Sequence, residues 1–84
     1  AAIRPYERVQ VVNNYNGMVF ETYAVPGGRN SGVICLNGAA ARMGQPGDTV
    51  IILTYAMVDE EELKNWRPTV VHVNAVNEPN LQQL

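Results

Sequence analysis

The sequence predicts a small, mainly β domain on two observations: short apolar, β-branched stretches recur along the chain, and clusters of Gly, Pro, Asn and Asp separate them. Such punctuation favours a closed or nearly closed β-barrel over alternating strands and helices. No internal repeat, low-complexity block or linker divides the chain. Residues 1–76 therefore read as one domain, and residues 77–84 as a polar, frayed C-terminal tail.

The first strand is expected over residues 8–14, where Val9, Val11 and Val12 stand among polar neighbours, and the second over residues 18–25, around Val19, Phe20, Tyr23 and Val25. Between them Asn16-Gly17 offers the positive φ values of a tight hairpin turn. A turn-rich break at residues 26–32 precedes a short apolar strand over residues 33–36. Asn37-Gly38-Ala39-Ala40-Ala41-Arg42 predicts a turn into one helical turn, because alanine has high helix propensity. Gly44 and Pro46-Gly47-Asp48 stop it. The apolar run at residues 49–58, with Val50-Ile51-Ile52 continuously β-branched, predicts a strand buried on both faces. Residues 59–66 open with acidic side chains, which suit the positive end of a short helix. Pro68 marks a boundary before an alternating strand over residues 69–74.

At 84 residues and 46% hydrophobic content, the chain sits near the size at which one core is only marginally sufficient, so a partner subunit or further segment is expected to complete it. The formal net charge is −2 and the six Lys and Arg residues are scattered, which argues against nucleic acid as a partner. Cys35 is the one cysteine and His72 the one histidine; an intrachain disulfide is excluded, a zinc site is disfavoured, and a reducing cytoplasm is the expected location. Neither a basic, apolar leader nor a bilayer-length apolar run is visible, so no membrane partner is expected.

More specific than periodicity is a series of short motifs. Phe20-Glu21-Thr22-Tyr23-Ala24, Ser31-Gly32-Val33-Ile34-Cys35-Leu36-Asn37-Gly38-Ala39-Ala40-Ala41, Pro46-Gly47-Asp48, Asp59-Glu60-Glu61 and Arg67-Pro68 follow one another in the order and spacing of the bacterial aspartate 1-decarboxylases, which the chain resembles over all but its last few residues. The resemblance implies a double-psi β-barrel with short helical turns, a homotetramer with active sites between neighbouring subunits, and a precursor that cleaves itself at a Gly-Ser bond. The new N-terminal pyruvoyl group of the α chain is the implied cofactor. The implied activity is the decarboxylation of L-aspartate to β-alanine and CO2, a step toward pantothenate and coenzyme A.

That chemistry has a physical logic. Loss of CO2 from an amino acid leaves a carbanion at Cα that no ordinary side chain delocalises, so an electron sink is required, and a pyruvoyl carbonyl supplies one through a Schiff base with the substrate amine. By resemblance, Tyr23 matches the tyrosine that returns a proton after CO2 loss, although strand tyrosines more often only pack. Thr22 matches the threonine that hydrogen-bonds the scissile carbonyl during self-cleavage; the plain alternative is a β-branched strand residue. Asn37 matches the asparagine aligning the cleavage segment, against an ordinary turn residue before Gly38. Ala39 and Ala40 match positions lining the substrate pocket, and Ile51 contributes an apolar wall, which core packing would explain equally well. Cys35 reads as a buried small hydrophobe, His72 as a surface or packed imidazole, residues 60–62 as a solvated helix start, and Trp66 as packing at an edge. Tyr6, Tyr15 and Tyr55 read as structural.

Two departures from the family pattern matter. The chain starts at Ala1-Ala2-Ile3, inside the family's α chain, so the pyruvoyl-bearing residue and the family's β chain are expected on polypeptide outside these 84 residues. Val19 stands where the family usually carries an arginine that pairs with a substrate carboxylate, and valine offers neither charge nor donors. Arg29 and Arg42 are nearby cations better explained as solvated. Two alternatives therefore stay open: a paralogous pyruvoyl decarboxylase acting on another amino acid, and a non-catalytic double-psi barrel used for binding or assembly.

Overall fold

A computed structural model describes residues 2–79. Strand β1 (Arg8–Asn13) is the centre of a three-stranded sheet, flanked on one side by β2 (Val19–Tyr23) and on the other by β3 (Val50–Leu53), both antiparallel. Because β1 is hydrogen-bonded on both edges, its inward set is the best covered among the described residues: Val9 is 5% exposed, Val11 3% and Asn13 0%. Arg8, Gln10 and Val12 alternate onto the opposite face. A 3-10 turn (Gly38–Met43) follows β2, and helix α1 (Glu60–Leu63) follows β3. Asp59 caps α1, its carboxylate accepting from the Glu62 N–H at 2.8 Å, with Glu60, Glu61 and Glu62 in the first turn as the acidic run predicted.

The mainly β class with short helical turns is therefore present, while several strands are shorter than the sequence predicts. The run at residues 49–58 pairs only over β3, and it is not buried on both faces: Ile51 is 48% exposed and Ile52 36%. As an edge strand with no further strand paired to its open side among the described residues, β3 falls short of the coverage that its apolar composition suits. Residues 33–36 form no strand, and residues 69–74 form only one isolated bridge, Val73 to Pro79. Both stretches have strand composition without a neighbouring ladder among the described residues. At the hairpin only Gly17 takes a positive φ, +75°; the reversal is wider than a two-residue turn and is organised by the Asn13 side chain. Of the tail, residues 80–84 lie outside the described residues.

The chain exposes 7,550 Å², whereas a compact monomer of 9.2 kDa would expose about 4,900 Å². Its radius of gyration of 14.2 Å likewise exceeds the roughly 12 Å of a compact 84-residue domain. Val33, Ile34, Met57, Val70, Val71 and Val76 are among the apolar side chains open to solvent.

One loop contact is tight enough to predict. Gly32 has φ +68°, an added Cβ would stand 2.6 Å from the Val76 carbonyl oxygen, and its own carbonyl accepts from Asn77 Nδ2 at 2.7 Å. Gly32→Ala is expected to destabilise by about 2 kcal/mol through the left-handed backbone and the displaced loop. Thermal unfolding checks this, and an unchanged melting temperature would contradict it.

Candidate active site

Strand β2 presents two faces. Phe20 and Thr22 are partly covered, whereas Val19, Glu21 and Tyr23 point outward beside Arg8, Gln10 and Val12 of β1. Arg8 Nη2 donates to Glu21 Oε1 at 2.8 Å, and the Tyr55 hydroxyl donates to Gln10 Oε1 at 2.6 Å. The exposed ion pair is worth little by itself. Val12 pairs with Val19 on one side and Ile51 on the other, so these three form an apolar row across the sheet.

The covered side of β2 meets the 3-10 turn at a cleft of about 270 Å³ lined by Thr22, Asn37, Ala39, Ala40, Phe20 and Met43. A neighbouring cleft of about 280 Å³ shares Thr22, Asn37 and Ala40 and adds Tyr23 and Cys35. The fold thus brings together Thr22, Tyr23, Asn37, Ala39 and Ala40, which lie on separate segments of sequence. Ile51 lines neither cleft and stands on the outer face of the sheet. Cys35 is not the buried hydrophobe expected: the segment carrying it is unpaired, its thiol is exposed in the cleft, and Sγ donates to Asn37 Oδ1 at 3.2 Å. That bond holds one side of the Asn37 amide and leaves its NH2 group free to donate.

Behind the cleft lies a polar cluster that sequence reasoning did not single out. Asn13 Nδ2 donates to the Met43 carbonyl at 3.1 Å and to Asp48 Oδ2 at 2.9 Å, while Oδ1 accepts from the backbone N–H groups of Tyr15 at 2.8 Å and Asn16 at 3.4 Å. One side chain therefore ties the hairpin, the end of the 3-10 turn and the Pro46-Gly47-Asp48 turn together. Asn16 Nδ2 adds a second bond to Met43, at 3.0 Å. The Asn13 hydrogen bond, and then that from the Gln45 N–H, hold the Asp48 carboxyl below its ordinary value, against a smaller opposing effect of burial. Gly44 leaves room for the arrangement, since a Cβ there would stand 3.1 Å from Asn13 Nδ2. The available signal was Asn13 itself, a polar residue on the inward face of an alternating strand.

At the other end of β2, Arg4-Pro5-Tyr6-Glu7 forms a turn closed by the Glu7 N–H on the Arg4 carbonyl at 3.1 Å, with Pro5 at its second position and Tyr6 at φ +65°. The Tyr6 N–H donates to the Ala24 carbonyl at 2.6 Å and the Ala24 N–H to the Glu7 carbonyl at 2.9 Å, so two residues face one across the strands, as in a bulge whose first position normally belongs to glycine. A left-handed tyrosine costs about 1–2 kcal/mol. Its ring lies 6.4 Å from that of Tyr23, tilted by 37°, a contact worth about 0.5–1.5 kcal/mol.

The family described as aspartate decarboxylase matches residues 1–80. The chain is 61% identical over 77 residues to an aspartate 1-decarboxylase of Pelotomaculum thermopropionicum, covering 92% of this chain and 58% of that protein. It is 59% identical over 71 residues to one of Heliobacterium modesticaldum, covering 84% and 54%. With one of Thermoanaerobacter pseudethanolicus it shares 54% identity over 79 residues, covering 94% and 68%. The chain thus spans between about half and two thirds of the length of these relatives. On the family match and these identities together, the chain belongs to the aspartate decarboxylase family, whose fold is the double-psi β-barrel.

Proposed function

We propose that this chain forms most of the α subunit of a pyruvoyl-dependent enzyme that decarboxylates L-aspartate to β-alanine and CO2, supplying pantothenate and coenzyme A synthesis in the cytoplasm. The observation that carries the reading is the meeting of Thr22, Tyr23, Asn37 and Ala40 around one cleft, in a chain of this family. The donor set suits a small carbonyl group: a hydroxyl, a phenol and an amide NH2 line one cleft together with the small Ala40 side chain. When present, the pyruvoyl group supplies the electron sink that decarboxylation requires.

The chain's own residues have distinct tasks. Tyr23 brings an O–H to the cleft and hands a proton to the substrate carbon after CO2 departs. Thr22 donates to the scissile carbonyl during self-cleavage and stabilises the oxyanion there. Asn37, held through Oδ1 by Cys35, orients the cleavage segment with its NH2 group. Ile51 and Val12 offer an apolar wall on the outer face. A homotetramer, with the family's β chain in each protomer, is supported by the large uncovered apolar surface, which further polypeptide would bury.

Thr22→Ala in the full precursor is expected to slow self-cleavage by about 100-fold, read as the appearance of split chains over time. Processing at the wild-type rate would contradict the role. The substrate is tested by turnover of aspartate against neutral amino acids. Val19 favours a second reading: it is 56% exposed, shares the Tyr23 face and extends the apolar row of Val12 and Ile51, which suits a less acidic substrate. Preferential β-alanine production supports the aspartate reading, and faster turnover of a neutral amino acid supports the second. No turnover of any amino acid would leave the non-catalytic barrel.

A further inference from the structure

We propose that Tyr6 is a positioning residue for Tyr23, placed by a strained bulge so that its ring fixes the direction of the Tyr23 phenol. The inference rests on the decarboxylase reading, because it assigns Tyr6 a part in the proton transfer. Three observations carry it. Tyr6 occupies, at φ +65°, the left-handed position of a turn and bulge where glycine would fit without strain. Both of its neighbouring backbone bonds to Ala24 lock that geometry at the residue directly after Tyr23. The ring so placed lies 6.4 Å from the Tyr23 ring, and within this chain Tyr6 and Tyr23 are 68% and 59% exposed.

The energetic argument is one of sign. Within this chain Tyr6 is 68% exposed, so contacts inside the chain offer little burial to offset a backbone angle that disfavours it. What the strain obtains is a neighbour for an exposed phenol that would otherwise sample several rotamers. A bulge at a sheet edge turns a side chain toward a site that regular pairing would miss, and here the side chain turned is the one that meets Tyr23. Narrowing the rotamers of a proton donor raises the fraction of encounters in which its O–H faces the carbanion.

The test uses the assembled, self-processed enzyme with Tyr6→Gly, Tyr6→Asn and Tyr6→Phe, and Tyr23→Phe in parallel. Gly and Asn both accept the left-handed backbone, so one of them preserves the turn if the other does not. Each is expected to lower kcat about 10- to 100-fold with KM unchanged and the melting temperature close to wild type or above it. The Tyr23 ring resonances, followed by NMR on 13C-labelled tyrosine, are expected to move. Tyr6→Phe, which keeps the ring, is expected to restore kcat. Wild-type kcat in both Tyr6→Gly and Tyr6→Asn, while Tyr23→Phe is inactive, would overturn the positioning role alone. Full activity in Tyr23→Phe would overturn the proton-donor assignment and this inference together.

Discussion

Replacing Tyr23 with phenylalanine is expected to reduce product formation by about 100- to 10,000-fold while leaving the fold intact, the span of losses seen when a positioned acid is removed. Phenylalanine keeps the ring and hence its contact with Tyr6, so the sheet and the bulge are undisturbed. What disappears is the phenol O–H of a side chain that lines the cleft with Thr22 and Asn37. Because the loss concerns a proton delivered after CO2 leaves, kcat should fall with little change in KM. Steady-state assays of β-alanine formation measure it, and an unaltered kcat would remove Tyr23 from the mechanism.

The second large effect concerns stability. Asn13→Ala removes four hydrogen bonds from the one fully buried polar side chain among the described residues, and leaves the Tyr15 N–H without its partner. A cost of about 3 kcal/mol is expected, which lowers the melting temperature by at least about 10 °C. Asn13→Asp should also be damaging, since it replaces the donor to Asp48 with a second carboxylate. The same bond sets a pH dependence. The Asp48 carboxyl has a lower pKa folded than unfolded, so its stabilising contribution is complete above the ordinary aspartate value and is lost as pH falls through the folded value. Acid unfolding should therefore be shallower in Asn13→Ala than in wild type. Identical acid limbs in the two proteins would show that the bond does not hold the carboxylate.

Much of the site was legible because its residues sit in contiguous motifs. Thr22-Tyr23 and Asn37-Gly38-Ala39-Ala40 carry their spacing in the sequence, and the sheet needed only to bring the two together. The Asn13 cluster was not legible, since its partners Met43 and Asp48 are 30 and 35 residues away and no local pattern links them. Cys35 was misplaced for a related reason: composition marks its segment as an apolar strand, but the segment has no ladder to join among the described residues and its thiol stays at the cleft. The apolar run around Ile51 and Ile52 was read as doubly buried because β-branched runs normally are, whereas as an edge strand it leaves Ile51 and Ile52 exposed and only Val50 and Leu53 partly covered. Tyr6 left no trace in periodicity, because its meaning lies in a backbone angle that its side chain disfavours.

The most direct test is the mass of the native assembly before and after treatment with aspartate and borohydride. An electron-accepting carbonyl within reach of Tyr23 predicts a pyruvoyl-ended polypeptide beforehand and a covalent substrate adduct on that same polypeptide afterwards. An assembly whose every chain begins with an ordinary amine and traps no adduct would contradict the account.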